Sequence, residues 1–240
     1  MLQIVLTTLS FLLPPSSNII FFSGGNSFMP AAIYTNFLDK LSDVADVKPI
    51  SNKLRYDEKD NVINQLLENR ITLDNTCAVS HSSGAATLLN QCSRFNVKKC
   101  VLLDPVDNSD LFGKNKPNLK NFGEFLIIKA ENSYKWSFKN ENGFLPNVKL
   151  PFIPFGNLDT DKLTSKTVIT LKDFGHCDIL DQPYSDYMHE TFAKGIPDRK
   201  KANVYRKKVV ELIELFIAGN LNDYTVNATL SPVDIEYTIS

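Results

Sequence analysis

At 240 residues, 43% hydrophobic and 22% charged, the chain has the length and composition of one globular domain with a large core. Lysine and arginine number 26 against 27 acidic residues, and the resulting net charge of −1 gives no electrostatic reason to expect a nucleic-acid partner. Three histidines and four cysteines, with neither HExxH nor CxxC spacing, speak against a metal site, and no motif asks for a cofactor.

In chain order, Met1 to Leu13 is mostly apolar and runs into Pro14-Pro15-Ser16-Ser17. It is short for a membrane span and lacks a basic start, so a first strand and a weak signal sequence both stay open. Five short runs rich in Val, Ile, Leu or Phe then read as strands: Asn18–Ser23, Cys77–Ser80, Lys99–Asp104, Glu124–Ala130 and Thr167–Leu171. Continuous apolar runs of this kind suit strands buried on both faces. Between them the apolar spacing predicts helices over Ala31–Leu41, Asp60–Arg70, Ser83–Cys92 and Lys201–Ala218, the last stopped by Gly219. Residues Ser133–Leu163 and Gln182–Lys201 are proline-containing and read as irregular. No repeat or low-complexity tract divides the chain, so residues 1–240 form one α/β domain, a mostly parallel central sheet flanked by helices. Cys77, Cys92, Cys100 and Cys177 lie in or beside apolar segments and read as structural thiols of a reducing compartment.

The sharpest local signal is Val79-Ser80-His81-Ser82-Ser83-Gly84, between a strand and a helix of small residues. It fits G-x-S-x-G with serine in the first glycine position. A nucleophile on such a strained turn needs small residues two before and two after it, so that strand and helix can pass closely. Ser82 is the candidate nucleophile. Its hydroxyl needs a base, and histidine suits that task near neutral pH. His81 is adjacent and should diverge at the turn, while His189 lies in a charged segment. His176 follows the last strand, in the chain order Ser…Asp/Glu…His, and is the candidate base. Asp104, closing the strand Val101-Leu102-Leu103 before Pro105, is the favoured acid, with Glu131 as its rival one strand later. Backbone N–H groups of Ser83 and of Gly25, within Ser23-Gly24-Gly25-Asn26, are the candidate oxyanion donors.

Three segments together resemble chlorophyllase, the α/β-hydrolase that cleaves the phytyl ester of chlorophyll: Ser80-His81-Ser82-Ser83-Gly84, Leu103-Asp104-Pro105-Val106-Asp107 and Phe174-Gly175-His176-Cys177-Asp178-Ile179-Leu180-Asp181. The family's elbow is GHSRGG-like, its acid lies in a DPV segment and its histidine in a YGHMDxLD-like loop, so the resemblance implies Ser82, Asp104 and His176 as a triad. Here Ser80 replaces the elbow's first glycine, Ser83 its arginine, and Ser23-Gly24 the usual His-Gly. Few residues precede the first central strand, which implies an α/β-hydrolase fold shortened at its N-terminal strands.

The implied reaction is hydrolysis of a hydrophobic carboxylic ester through an acyl-enzyme, with chlorophyll as the specific substrate and a general carboxylesterase or lipase as the broader alternative. A non-catalytic binding protein on the same fold is the reading from another class. Phe144, Leu145, Phe152, Ile153, Phe155, Tyr184, Tyr187 and Phe192 are candidates for a groove around an apolar tail. The cluster Arg199-Lys200-Lys201 and Arg206-Lys207-Lys208 reads as a solvated face or, more sharply, as a peripheral contact with an anionic membrane.

Overall fold

The computed structural model describes residues 18–27, 29–51, 64–66, 68, 71, 76–95, 97–107, 123–132, 156–158, 160–191, 198–233 and 235–240. Nine strands and six α-helices are described, in chain order β1 (Asn18–Phe22), α1 (Gly24–Ser27), α2 (Thr35–Ser42), β2 (Asp46–Ile50), β3 (Thr76–His81), α3 (Gly84–Phe95), β4 (Lys99–Leu103), β5 (Val106–Asp107), β6 (Glu124–Ala130), β7 (Gly156–Asn157), β8 (Lys166–Leu171), α4 (Tyr184–Thr191), α5 (Arg199–Ile217), α6 (Asp223–Leu230) and β9 (Tyr237–Ile239). Seven strands form one sheet in the order β2-β1-β3-β4-β6-β8-β9, while β5 and β7 pair separately. Every neighbouring pair in the large sheet is parallel except β8 with β9.

The apolar strand runs arise because both faces of the sheet are covered. Ile19 and Phe21 of β1 face one core with Val79, Val101, Leu126, Ile128 and Ile169, against Phe37 and Leu41 of α2 and Val209 and Ile213 of α5. Their alternates Ile20 and Phe22 face a second core with Ala78, Leu102 and Ile127, against Leu88 and Leu89 of α3. From β1 the chain steps outward to β2, then returns to place β3 on the other side of β1. The reversal falls between β1 and β3, and the C-terminal strand ends at such a switch are where open α/β sheets bind ligands.

The five strands expected from sequence are present within a residue or so at each end. The expected helix over 31–41 is split, with a 3-10 turn over Ala31–Tyr34 leading into α2. Most of the expected helix over 60–70 lies outside the described residues. Gln182–Lys201, expected to be irregular, contains α4 and the first turn of α5. Asp198 caps α5 by accepting from the N–H groups of Lys200 and Lys201. At the other end Lys99 Nζ donates to the carbonyls of Phe216 and Ile217, and Gly219 follows with a left-handed φ of +74°. Cys77, Cys100 and Cys177 are buried, and none of the three is in a disulfide. Among the described residues no helix is long and apolar enough to cross a membrane.

Candidate active site

Ser82 stands at the turn between β3 and α3 with φ +56°, a left-handed conformation that costs a side-chain-bearing residue about 1–2 kcal/mol. The surroundings over-determine it. Its N–H donates to the Leu103 carbonyl at 3.0 Å, and its carbonyl accepts from Ala85 at 3.1 Å and from Val106 at 3.2 Å. Gly84 makes the close passage of strand and helix feasible, since a Cβ there would lie 2.3 Å from the Ser23 carbonyl oxygen. Ser80, in the place of the usual first glycine, fits inside the sheet, although its buried hydroxyl finds no hydrogen-bond partner among the described residues. Ser82 itself is half-buried between buried neighbours.

Asp104 also has a positive φ, +43°, where β4 ends, and its N–H donates to the Ile128 carbonyl at 2.7 Å. One carboxylate oxygen, Oδ1, accepts from the Ala130 N–H at 3.1 Å. The other, Oδ2, accepts from His176 Nδ1 in a short, buried contact. A carboxylate on Nδ1 holds the ring proton there and so puts the basic lone pair on Nε2, the tautomer a general base requires. The rival acid, Glu131, is exposed and lies near Lys172. The structure therefore brings His176 to Asp104 and not to Glu131.

The loop carrying His176 runs from Asp173 to Asp181. Asp178 folds back to accept from the Gly175 N–H at 2.7 Å. Both oxygens of Asp181 accept from the Asn36 N–H in the first turn of α2, at 3.1 Å each. Arg206 of α5 reaches the carbonyls of Asp178 and Leu180 at 2.7 and 3.0 Å, and the Tyr205 ring stacks on Phe174 with centroids 3.4 Å apart. Arg206 was expected among surface cations, but only 3% of it is exposed. Burial lowers its pKa, and the nearby carboxylates of Asp181 and Asp178 oppose that shift. Helical phase gave the missed signal, because Arg206 falls on the same stripe as Ala202, Val209 and Ile213. Of the remaining cluster, Arg199 pairs with Asp186 and Lys207 and Lys208 with Glu211, while Lys200 and Lys201 are exposed.

The loop after β1 supplies the third wall. Gly25 has φ +60°, and a Cβ on Gly24 would sit 3.4 Å from Ser82 Cβ, so this backbone lies directly against the serine. The Gly24 N–H donates to Tyr34 Oη at 2.9 Å and is thereby occupied, which leaves Gly25 as the loop's candidate donor. Ser83 N–H, at the start of α3, remains the other candidate. Of the expected groove residues, Tyr184 and Tyr187 are exposed on α4. Phe144, Leu145, Phe152, Ile153, Phe155 and Phe192 lie outside the described residues.

The strand order, the left-handed serine turn after β3 and the histidine loop after β8 define the α/β-hydrolase fold. No family model matches the chain, and no curated protein matches it in sequence. Among solved structures it is similar to a hormone-sensitive lipase from a metagenome library, at 15% identity over 85% of this chain and 78% of that one, with a TM-score of 0.49. It is also similar to the esterase EstE5 soaked with p-nitrophenyl butyrate, at 12% identity over 82% and 76%, with a TM-score of 0.47. A hyperthermophilic esterase from the archaeon Pyrobaculum calidifontis is similar at 15% identity over 48% of this chain, with a TM-score of 0.38. The chain spans 56% of the length of that last structure. Likeness of this degree adds nothing to the site, whose reading rests on the contacts above.

Proposed function

We propose that this chain is a serine hydrolase of carboxylic esters, and the observation that carries the reading is the buried His176–Asp104 pair beside the left-handed turn of Ser82. His176 Nε2 takes the proton of Ser82 Oγ as that oxygen attacks the ester carbonyl. The N–H groups of Gly25 and Ser83 receive the developing oxyanion, where preorganised donors act most strongly. His176 then returns the proton to the leaving alcohol, an acyl-enzyme forms, and water activated by the same nitrogen releases the acid. Asp104 holds the imidazole in one tautomer and stabilises its positive charge.

The substrate we propose is a hydrophobic ester, and chlorophyll is its most specific form, supported by the resemblance of the three sequence segments. Asp178 and Asp181, the most particular residues of that resemblance, anchor the histidine loop. Their presence is thus accounted for without a pigment, which favours the general carboxylesterase as the second reading. Peripheral contact with an anionic membrane belongs to the same proposal, supported by exposed Lys200, Lys201, Tyr184 and Tyr187 close after the histidine loop.

Ser82→Ala is expected to abolish ester turnover and fluorophosphonate labelling while leaving thermal unfolding intact. Asp104→Asn is expected to lower kcat by about 10⁴-fold, and Glu131→Gln to change it little. Labelling that persists in Ser82→Ala refutes the assignment, and a wild-type protein inert to probe and esters leaves the non-catalytic binding reading. Chlorophyllide release from chlorophyll a, set against turnover of p-nitrophenyl butyrate, separates the pigment ester from the general one.

A further inference from the structure

His81 immediately precedes the serine, is 3% exposed, and takes no part in the reaction just described. Its two ring nitrogens are nevertheless both engaged across the site. Nε2 lies 2.9 Å from the backbone carbonyl oxygen of His176, and Nδ1 lies 2.9 Å from Tyr34 Oη. A carbonyl can only accept, so Nε2 carries the proton and donates. Burial, reinforced by the neighbouring His176, pushes the His81 pKa down to about 3, so the ring is neutral and its Nδ1 is an acceptor. Tyr34 must then donate to Nδ1, while its oxygen accepts from the Gly24 N–H at 2.9 Å. Tyr34 is fully buried, and that burial holds its hydroxyl protonated.

The protons consequently point one way along a single chain, from the Gly24 N–H through the Tyr34 hydroxyl and the His81 imidazole to the His176 carbonyl. This chain joins the candidate oxyanion loop to the base. It passes one residue from the nucleophile, and the imidazoles of His81 and His176 lie with centroids 4.6 Å apart. Resting on the hydrolase reading above, we infer that His81, clamped between Tyr34 and the His176 carbonyl, is a positioning residue that keeps base and oxyanion loop in register with Ser82. With both nitrogens committed it is no alternative base. As a neutral ring it also places no second positive charge beside His176 when that imidazole takes up the serine proton.

The role divides between the two nitrogens, and amide side chains can separate them. Glutamine carries its terminal amide near the position of Nε2 and can keep the bond to the His176 carbonyl. Asparagine, one carbon shorter, can reach only the Tyr34 side. Active sites of wild type, His81→Gln, His81→Asn and Tyr34→Phe are counted by fluorophosphonate titration at Ser82. Hydrolysis of p-nitrophenyl butyrate is then expressed per titrated site, which removes any loss of folded protein from the comparison. His81→Asn is expected to lose kcat on the order of 10²-fold with KM little changed, the scale that misplacement of a reacting group by about 1 Å produces. His81→Gln is expected to retain most of the wild-type kcat. Tyr34→Phe, which removes one oxygen atom and keeps the ring, is expected to fall between them. Equal kcat per site in wild type, His81→Asn and Tyr34→Phe overturns the positioning role while leaving the hydrolase reading standing. A wild-type protein that neither labels nor hydrolyses ester overturns both.

Discussion

Around Ser82 the chain is held by backbone hydrogen bonds and by the lack of a side chain at Gly84, whereas around His176 it is held by the side chains of Asp178, Asp181, Arg206 and His81. The serine turn sits between two elements of regular structure, whose geometry leaves it one conformation provided nothing fills the gap. The histidine loop has no such frame over Asp173 to Asp181, so its polar groups need partners brought from α2, α5 and β3. One region is specified by a missing atom, the other by buried polar groups paired across elements.

If that contrast is right, adding a methyl group should break the turn, and removing a charge should break the loop. Gly84→Ala is expected to have the largest effect on stability, at least about 3 kcal/mol, because the new Cβ meets carbonyl oxygens of a paired strand end that cannot yield cheaply. Denaturant unfolding measures it, and a loss below about 1 kcal/mol would mean that strand and helix separate more easily than described. Arg206→Met keeps the stem's packing but strands the Asp178 and Leu180 carbonyls, with an expected cost of about 3 kcal/mol. Its kcat should fall further than that of an equally destabilised variant on α6, since the loop it releases carries the base.

Acid should weaken the side-chain-held region first. As pH falls through 6.5, the ordinary value for histidine, the unfolded chain takes up a proton at His81 that the folded chain refuses until about pH 3. Stability from this group is therefore full above 6.5 and declines as the pH drops through that window, by about 3 kcal/mol at pH 4.5. Urea titrations at pH 7 and 4.5 should show that loss in the wild type and a smaller one in His81→Gln. The smallest effect belongs to the turn. Ser80→Ala removes a buried hydroxyl without a described partner and should be neutral or stabilising by about 1 kcal/mol. A clear destabilisation would show that the hydroxyl is bonded after all.

The same contrast explains which parts of the molecule were legible in the sequence. The buried strands announce themselves through unbroken apolar runs, and Ser82, Asp104 and His176 lie at the ends of three of them, where pattern and chemistry coincide. β2 escapes because Asp-Val-Lys-Pro-Ile is half polar and contains a proline, and α4 and α6 because their few apolar residues give a weak stripe. In the sequence Tyr34 stands out in no pattern, His81 is only the serine's neighbour, and Arg206 falls within a basic cluster. What they do depends on elements distant in sequence, and no local spacing encodes a hydrogen bond between residues 34 and 81 or between 178 and 206. Arg206 alone left a local trace, in its helical phase.

Proline 49, awkward as a strand residue, has a consequence for how folded copies of this chain meet each other. Among the described residues it lies in β2 at the outer rim of the sheet, opposite Phe21. A proline can remain in a paired strand only where its nitrogen faces away from the neighbour. The open side of β2 therefore lacks one of the N–H donors that an incoming strand would seek. Asp46 and Lys48 precede that gap as an ion pair at 3.1 Å, and at the opposite rim β9 is only three residues long. Charge, proline and brevity are the means by which sheets discourage edge-to-edge stacking. Both rims are thus poor templates for aggregation, and Pro49→Val, which restores the donor, should turn a concentrated solution cloudy sooner than the parent protein does.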